Sequence, residues 1–263
     1  MASPSSHMKS IKDLLQTGLA KPRVAAFRRR YAKQIAFLQA RLSPEEYLGL
    51  HLTLGALVLI GSAWLFGGIA EEVLHNEPLT VFDLRVSEWL HAHRVVRLTS
   101  AMLIVTDLGS TVFVTIATVL VSLFLLWRRR RYELLTLLLA VPGGALLNVL
   151  LKSAFHRHRP SFNDPVVSFT GYSFPSGHTM AATVLYGALA VLVIRNVRGW
   201  RWRVLTILSA GLVILSVGSS RVYLGAHYLS DVLAAMIEGL AWLAITVTAV
   251  ETLRRHKRRL AKR

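Results

Sequence analysis

The sequence predicts an all-α, polytopic membrane protein with six transmembrane helices. Two observations carry this. The chain has 263 residues, of which 53% are hydrophobic, and its apolar residues gather in runs of about 18 or more, the length that crosses a hydrocarbon core. Lys and Arg concentrate in short intervals between those runs, at alternate ends. Backbone polar groups in lipid must be satisfied within their own segment, so the spans are helices and not an open sheet.

Residues 1–47 form a basic leader. Its first eight residues, MASPSSHM, with the His7-Met8 junction, read as an expression scar ahead of a native start. From Ile11 to Leu42, apolar residues recur at helical spacing among many cations, which predicts an amphipathic helix on the inner membrane surface or packed on the cytoplasmic ends of the bundle. The membrane domain is predicted over 48–250, with spans at Leu48–Ile69, Leu103–Trp127, Leu134–Leu151, Thr179–Ile194, Val204–Val217 and Leu229–Val250. The fourth and fifth are short for free-standing helices. Residues 251–263 are read as a basic cytoplasmic tail. Trp127, Trp200 and Trp202 fall at predicted boundaries and suit interfacial anchoring, whereas Trp242 lies inside the last span and suits packing.

Six spans put Arg128–Arg131, Arg195–Arg203, the tail from Arg254 to Arg263 and the leader's Lys21, Arg23 and Arg28–Arg30 on one side. The positive-inside rule makes that side cytoplasmic, with both termini there. The acidic stretch Gly67–Arg97 falls on the opposite side. A net charge of +17 would also suit a nucleic-acid partner, but membrane topology and anionic headgroups account for the clusters, so no nucleic acid is expected. The chain has no cysteine, which removes disulfides and thiol chemistry.

Three polar stretches emerge at the same, extracytoplasmic, ends of spans three to six: KSAFHRHRP (Lys152–Pro160), YSFPSGHTM (Tyr172–Met180) and SSRVYLGAHYLSD (Ser219–Asp231). Lys152, Arg159 and Arg221 bring fixed positive charge, and guanidinium forks match phosphate oxygens. Ser176 and Gly177 precede a helix, so a hydroxyl and backbone amides can meet an anion at its positive end. Asp231 is the one obvious carboxylate, so the cations stand in for a metal and no cofactor is expected. His227 and Asp231, four apart, share a face if the last helix starts by Gly225. The aspartate then fixes the ring tautomer and leaves a bare nitrogen able to attack phosphorus. His178 is placed to protonate the departing oxygen.

Taken together, K-x6-RP at Lys152–Pro160, PSGH at Pro175–His178 and SR-x5-H-x3-D at Ser220–Asp231 resemble the three-part signature of the type 2 phosphatidic acid phosphatase superfamily, with every signature position present and in order. The resemblance runs over roughly Leu48–Val250 and omits the leader. It implies a bacterial inner-membrane lipid phosphatase in which His227 forms a transient phosphohistidine, Asp231 orients it and His178 acts as general acid. Lys152, Arg159, Ser176, Gly177 and Arg221 would hold the phosphoryl oxygens. Undecaprenyl diphosphate, phosphatidylglycerophosphate and phosphatidic acid are the implied lipid substrates. A lipid A phosphatase or phosphotransferase using the same site, and a non-catalytic lipid-binding homologue, are the alternatives.

Several neighbours carry weaker signals. His156 and His158 lie inside the first motif but off its signature positions, and a solvated loop suits them. Asn148 is one turn before Lys152 and either orients it or makes an interhelical hydrogen bond. Glu238 should sit inside the bilayer as a functional or a hydrogen-bonded structural acid, and Asp107 is similarly open. Phe169, Tyr172 and Phe174 belong to a segment that lines a route for a lipid chain or forms an interfacial loop.

Overall fold

The structure is a computed structural model, and it describes residues 30–36, 50–75, 78–166 and 170–261. Among residues 1–53, the described part is helical at 32–36 and again from Leu50. The rest of the expected amphipathic leader helix, residues 1–8 and Phe169 lie outside the described residues.

Eight helices follow in the described chain: α1 Leu50–His75, α2 Pro78–Ala92, α3 Val96–Asp107, α4 Thr111–Trp127, α5 Arg131–Phe155, α6 Gly177–Asn196, α7 Trp200–Tyr223 and α8 Leu229–Leu260. Five of them (α1, α5, α6, α7 and α8) are long and apolar enough to cross a membrane, and the pair α3–α4, bent by 41°, makes a sixth span if counted as one. At 1.5 Å per residue, 20 residues cover about 30 Å, so α6 and α7 span where the sequence had suggested short segments. The protein is a multi-pass, all-helical membrane protein.

The core lies around α6, which packs against α5, α7 and α8. Met180, Ala182, Val184, Leu185 and Ala188 of α6 are fully buried, with Leu137 and Ala140 of α5 and Ala234 and Ala235 of α8. Small residues on facing helices allow close approach where lipid supplies no hydrophobic drive between them. Outward faces are apolar instead: Trp64, Ile104, Val112, Leu120, Leu146 and Leu212 are all exposed on the described surface, an arrangement that needs lipid around it. Trp242 packs as expected, its indole N–H donating to the carbonyls of Leu139 (3.0 Å) and Ala140 (3.1 Å).

One expectation changes. The span Leu103–Trp127 is not continuous; Leu108–Ser110 interrupts it. Ser110 caps α4 by accepting from the Phe113 amide at 3.2 Å, and Tyr186 donates to the Leu108 carbonyl at 3.1 Å. Gly109 sits so close to α6 and α7 that a Cβ there would fall 2.7 Å from the His178 carbonyl oxygen and 2.6 Å from Val217 Cγ1. The break therefore lets α3 end at the mouth of the bundle. The interval Gly67–Arg97 is also largely helical, since α1 runs on to His75 and α2 occupies Pro78–Ala92.

The α8 helix continues through the basic C-terminal stretch to Leu260. Glu251 anchors that end, facing Arg195 (3.5 Å), Arg254 (3.2 Å) and Arg255 (2.9 Å). Arg130, at the start of α5, donates to Asn196 at the end of α6 at 2.9 Å. The basic ends of α4 to α8 thus gather at one end of the bundle, opposite Lys152, Ser176, Arg221 and Asp231.

Candidate active site

Five helix ends and two loops build the site. The last turn of α5 presents Lys152, and His156 ends that helix in the left-handed region with φ 49°, turning the chain into Arg157–Arg159. Phe174 is fully buried against Phe155 and Phe66, with ring centroids 4.9 and 5.7 Å away. It wedges the loop ahead of α6 in place and lines no route for lipid. Pro175 follows through a cis peptide bond.

At the other side, α7 ends at Tyr223, and Gly225 adopts φ 69°. A Cβ at Gly225 would lie 2.9 Å from the Phe162 ring, so glycine satisfies both the turn and the contact. The turn places His227 before α8 begins at Leu229, with Tyr228 as N-cap. The expected helical i, i+4 face is therefore replaced by a cap. Asp231 folds back to accept from the Tyr228 amide at 2.9 Å, and its Oδ2 faces His227 Nδ1 at 3.4 Å. That separation is longer than a firm hydrogen bond, as is common before a substrate tightens a site.

His227 is almost wholly buried. Burial pushes its imidazole down to about 4, against the upward pull of Asp231, so the ring is neutral near pH 7. Arg159 Nη1 lies 3.2 Å from His227 Nε2. A guanidinium only donates and a carboxylate only accepts, so Nε2 carries the lone pair and Nδ1 the hydrogen facing Asp231. Burial also lowers Arg159 from the usual guanidinium range, and its other bonds go to the carbonyls of Gly171 (3.0 Å) and Ala226 (2.7 Å).

A cavity of about 530 Å³ is lined by Lys152, Arg159, Gly177, His178, Arg221 and His227, with Leu103, Thr106, Asp107, Thr170 and Leu224. Lys152 Nζ donates to the Tyr172 carbonyl at 3.1 Å. Arg221, 3% exposed, donates to Thr106 Oγ1 at 2.8 Å, a contact that the break after α3 makes available. Gly177 and His178 open α6 with the positive end of its dipole toward the cavity. Ser176 is set further back: its amide donates to the Asp231 carbonyl at 3.1 Å and its hydroxyl accepts from Thr179 at 3.0 Å. It ties the second motif to the third instead of lining the cavity.

The weaker candidates separate. Asp107 lines the cavity wall. Asn148 donates to Glu238 at 3.2 Å and to the Pro175 carbonyl at 3.5 Å, an interhelical bond and not a contact with Lys152. Glu238 is buried beside a small apolar groove formed by residues of α1, α5 and α8. His156 packs edge-on against Tyr172, and neither it nor His158 lines the cavity.

Sequence reasoning missed Arg157 and Asp83. Arg157 donates to Asp231 Oδ1 at 2.6 Å, to Ser230 Oγ at 2.7 Å and to Asp83 Oδ2 at 2.9 Å. Its guanidinium lies 4.3 Å from the centroid of the Tyr228 ring. An arginine between two motif positions offered no signal of its own.

The PAP2 superfamily model matches residues 133–255, the interval that contains all three motifs. The chain is 29% identical over 199 residues to phosphatidylglycerophosphatase B of Bacillus subtilis (strain 168), covering 75% of this chain and 98% of that protein. It is 36% identical over 123 residues to lipid A 1-phosphatase of Rhizobium johnstonii, covering 43% of this chain and 46% of that relative. Among solved structures, it resembles a transmembrane PAP2 type phosphatidylglycerolphosphate phosphatase from Bacillus subtilis, with a TM-score of 0.67, 28% identity and coverage of 72% of this chain and 93% of that one.

Proposed function

We propose that the protein is an integral-membrane lipid phosphatase that cleaves a lipid phosphomonoester or diphosphate through a phosphohistidine, with no metal. The observation that carries the reading is that His227, whose Nε2 lone pair accepts from Arg159, lines one cavity with Lys152, Arg159, Arg221 and the start of α6. In the first step Nε2 bonds to phosphorus as the phosphorus–lipid oxygen bond breaks, and the leaving oxygen takes a proton from His178. In the second, His178 takes a proton from water, the hydroxide oxygen bonds to phosphorus and the phosphorus–nitrogen bond breaks. Lys152, Arg159 and Arg221 neutralise the charge that develops on the phosphoryl oxygens, an effect on the order of 100- to 1000-fold in rate for each donor in a dry site.

Phosphatidylglycerophosphate is the first substrate to test, because the relative matched over nearly its full length is a phosphatidylglycerophosphatase; phosphatidic acid and undecaprenyl diphosphate follow. A lipid A substrate is the second reading, favoured by 36% identity over 123 residues to a lipid A 1-phosphatase. The basic ends of α4 to α8 lie opposite the cavity, which supports an inner-membrane orientation with both termini cytoplasmic and the site outside. The deciding experiment is phosphate release by the purified protein, with chelator, from these lipids beside His227→Ala. Turnover of one lipid that vanishes in the variant supports the reading, and chelator-sensitive turnover would sink the metal-free mechanism.

A further inference from the structure

We infer that Arg157 and Asp83 are a positioning pair that aims Asp231 at His227 and sets the charge behind the nucleophile. The inference rests on the reading of His227 as that nucleophile. Both residues lie outside the three-part signature, and Asp83 comes from α2, outside the matched domain.

The geometry leaves Asp231 little freedom. Its Oδ1 is held by Arg157 at 2.6 Å, and its Oδ2 by the Tyr228 amide at 2.9 Å, which fixes the carboxylate plane with Oδ2 toward the ring. Arg157 is itself held at its second nitrogen by Asp83, at 2.9 Å. Asp83 accepts from the Ser230 amide at 3.0 Å, and the Ser230 hydroxyl bonds both Asp83 and Arg157. Asp83 and Asp231 are 1% and 0% exposed, so this is a closed relay and not a surface ion pair. Without the fork of Arg157, Asp231 could turn about its own side chain and take Oδ2 off the imidazole.

Charge counting gives Asp83 a second part. One guanidinium between two carboxylates leaves a net charge of −1 beside a neutral His227. When Nε2 bonds to phosphorus while Nδ1 keeps its hydrogen, the ring becomes cationic, and the cluster then sums to zero. Asp83 thus cancels the charge of Arg157, which leaves Asp231 as the counter-charge to the cationic ring.

The test uses the full-length protein in nanodiscs, with phosphatidic acid and p-nitrophenyl phosphate as substrates, and compares wild type, His227→Ala, Arg157→Lys and the charge-balanced double variant Asp83→Asn with Arg157→Gln. The double variant removes one charge of each sign, so no buried carboxylate loses its partner without compensation in net charge. The expected result is kcat lower by about 30- to 100-fold with KM within about twofold, the mark of lost orientation. The ring ¹⁵N signals of His227, assigned by difference from His227→Ala, should change from the Nδ1-protonated tautomer to a mixture. Arg157→Lys, which keeps the charge but cannot bridge both acids, should show both changes at smaller amplitude, and it carries the test if the double variant does not fold. A folded variant with kcat within about threefold of wild type, or with the tautomer unchanged, overturns the inference, because a purely structural role moves only the melting temperature. Activity surviving in His227→Ala instead removes the underlying reading.

Discussion

Gly109→Ala tests whether the break between α3 and α4 positions the site. The added Cβ would meet Val217 Cγ1 at 2.6 Å and the His178 carbonyl oxygen at 2.7 Å. Val217 can adjust its side chain, but the His178 carbonyl belongs to the first turn of α6. Restoring a carbon–oxygen contact of about 3.3 Å requires a separation of about 0.6 Å beyond the 2.7 Å available, and part of that movement falls on the residue assigned as general acid. If a misplacement of about 1 Å costs about 100-fold, the expected loss in kcat is roughly 10- to 30-fold. Overpacking destabilises by about 1–3 kcal/mol, offset by about 0.4–1 kcal/mol from the less flexible denatured chain. Phosphate release and thermal unfolding in detergent measure the two effects. Gly61→Ala is the control, since a Cβ there meets nothing within 4 Å. Wild-type kcat and stability in Gly109→Ala would refute the argument that the α3–α4 break holds α6 in register.

His227 should titrate near 4 instead of 6.5, because burial disfavours its charged form, and histidine NMR in the purified protein will read the value directly. With the folded value depressed, the unfolded chain takes the proton first, so His227 costs stability progressively as pH falls from 6.5 to about 4, on the order of 3 kcal/mol; unfolding midpoints across that window check the sign. His178→Ala should slow release from an alkyl phosphate by about 100-fold or more and from p-nitrophenyl phosphate far less, since a phenolate of low basicity needs no proton on leaving. Thr106→Val removes an acceptor from buried Arg221 and should lower kcat/KM by about five- to tenfold, corresponding to about 1 kcal/mol, and lower the melting temperature as well, since a buried charged donor loses a partner.

The parts legible in sequence were those where chemistry restricts residue type. Lys152, Arg159, His178, Arg221 and His227 line one cavity because an anion site in a membrane needs those groups at ends of successive antiparallel helices, and apolar run length gives the helices. Local geometry was less visible. His227 and Asp231 have a spacing that suits a shared helical face, yet the left-handed turn at Gly225 keeps His227 off the helix and a cap brings the two together. The α3–α4 break hides inside an apolar stretch because hydropathy does not register a glycine chosen for a close approach. Asp83 is invisible for a different reason: its partners, Arg157 and Ser230, are distant in sequence, and their contact depends on how α2 lies against the bundle.

Arg159 explains how a cavity of fixed cations can hold its nucleophile ready. Its Nη1 donates to the lone pair of His227 Nε2, the pair that would attack phosphorus in the proposed mechanism. A phosphoryl oxygen is the better acceptor, since hydrogen bonds between ionised partners are about twice as strong as neutral ones and a guanidinium fork fits two such oxygens at once. In the proposed mechanism an arriving phosphate would therefore draw Arg159 onto itself and expose Nε2 in the same movement. It also brings negative charge among Lys152, Arg159 and Arg221, whose mutual repulsion is strong in so buried a place. Water or an apolar headgroup does neither. Recognition of the anion and release of the nucleophile would then be one event, carried by a side chain whose bonds to the Gly171 and Ala226 carbonyls keep it within reach of both.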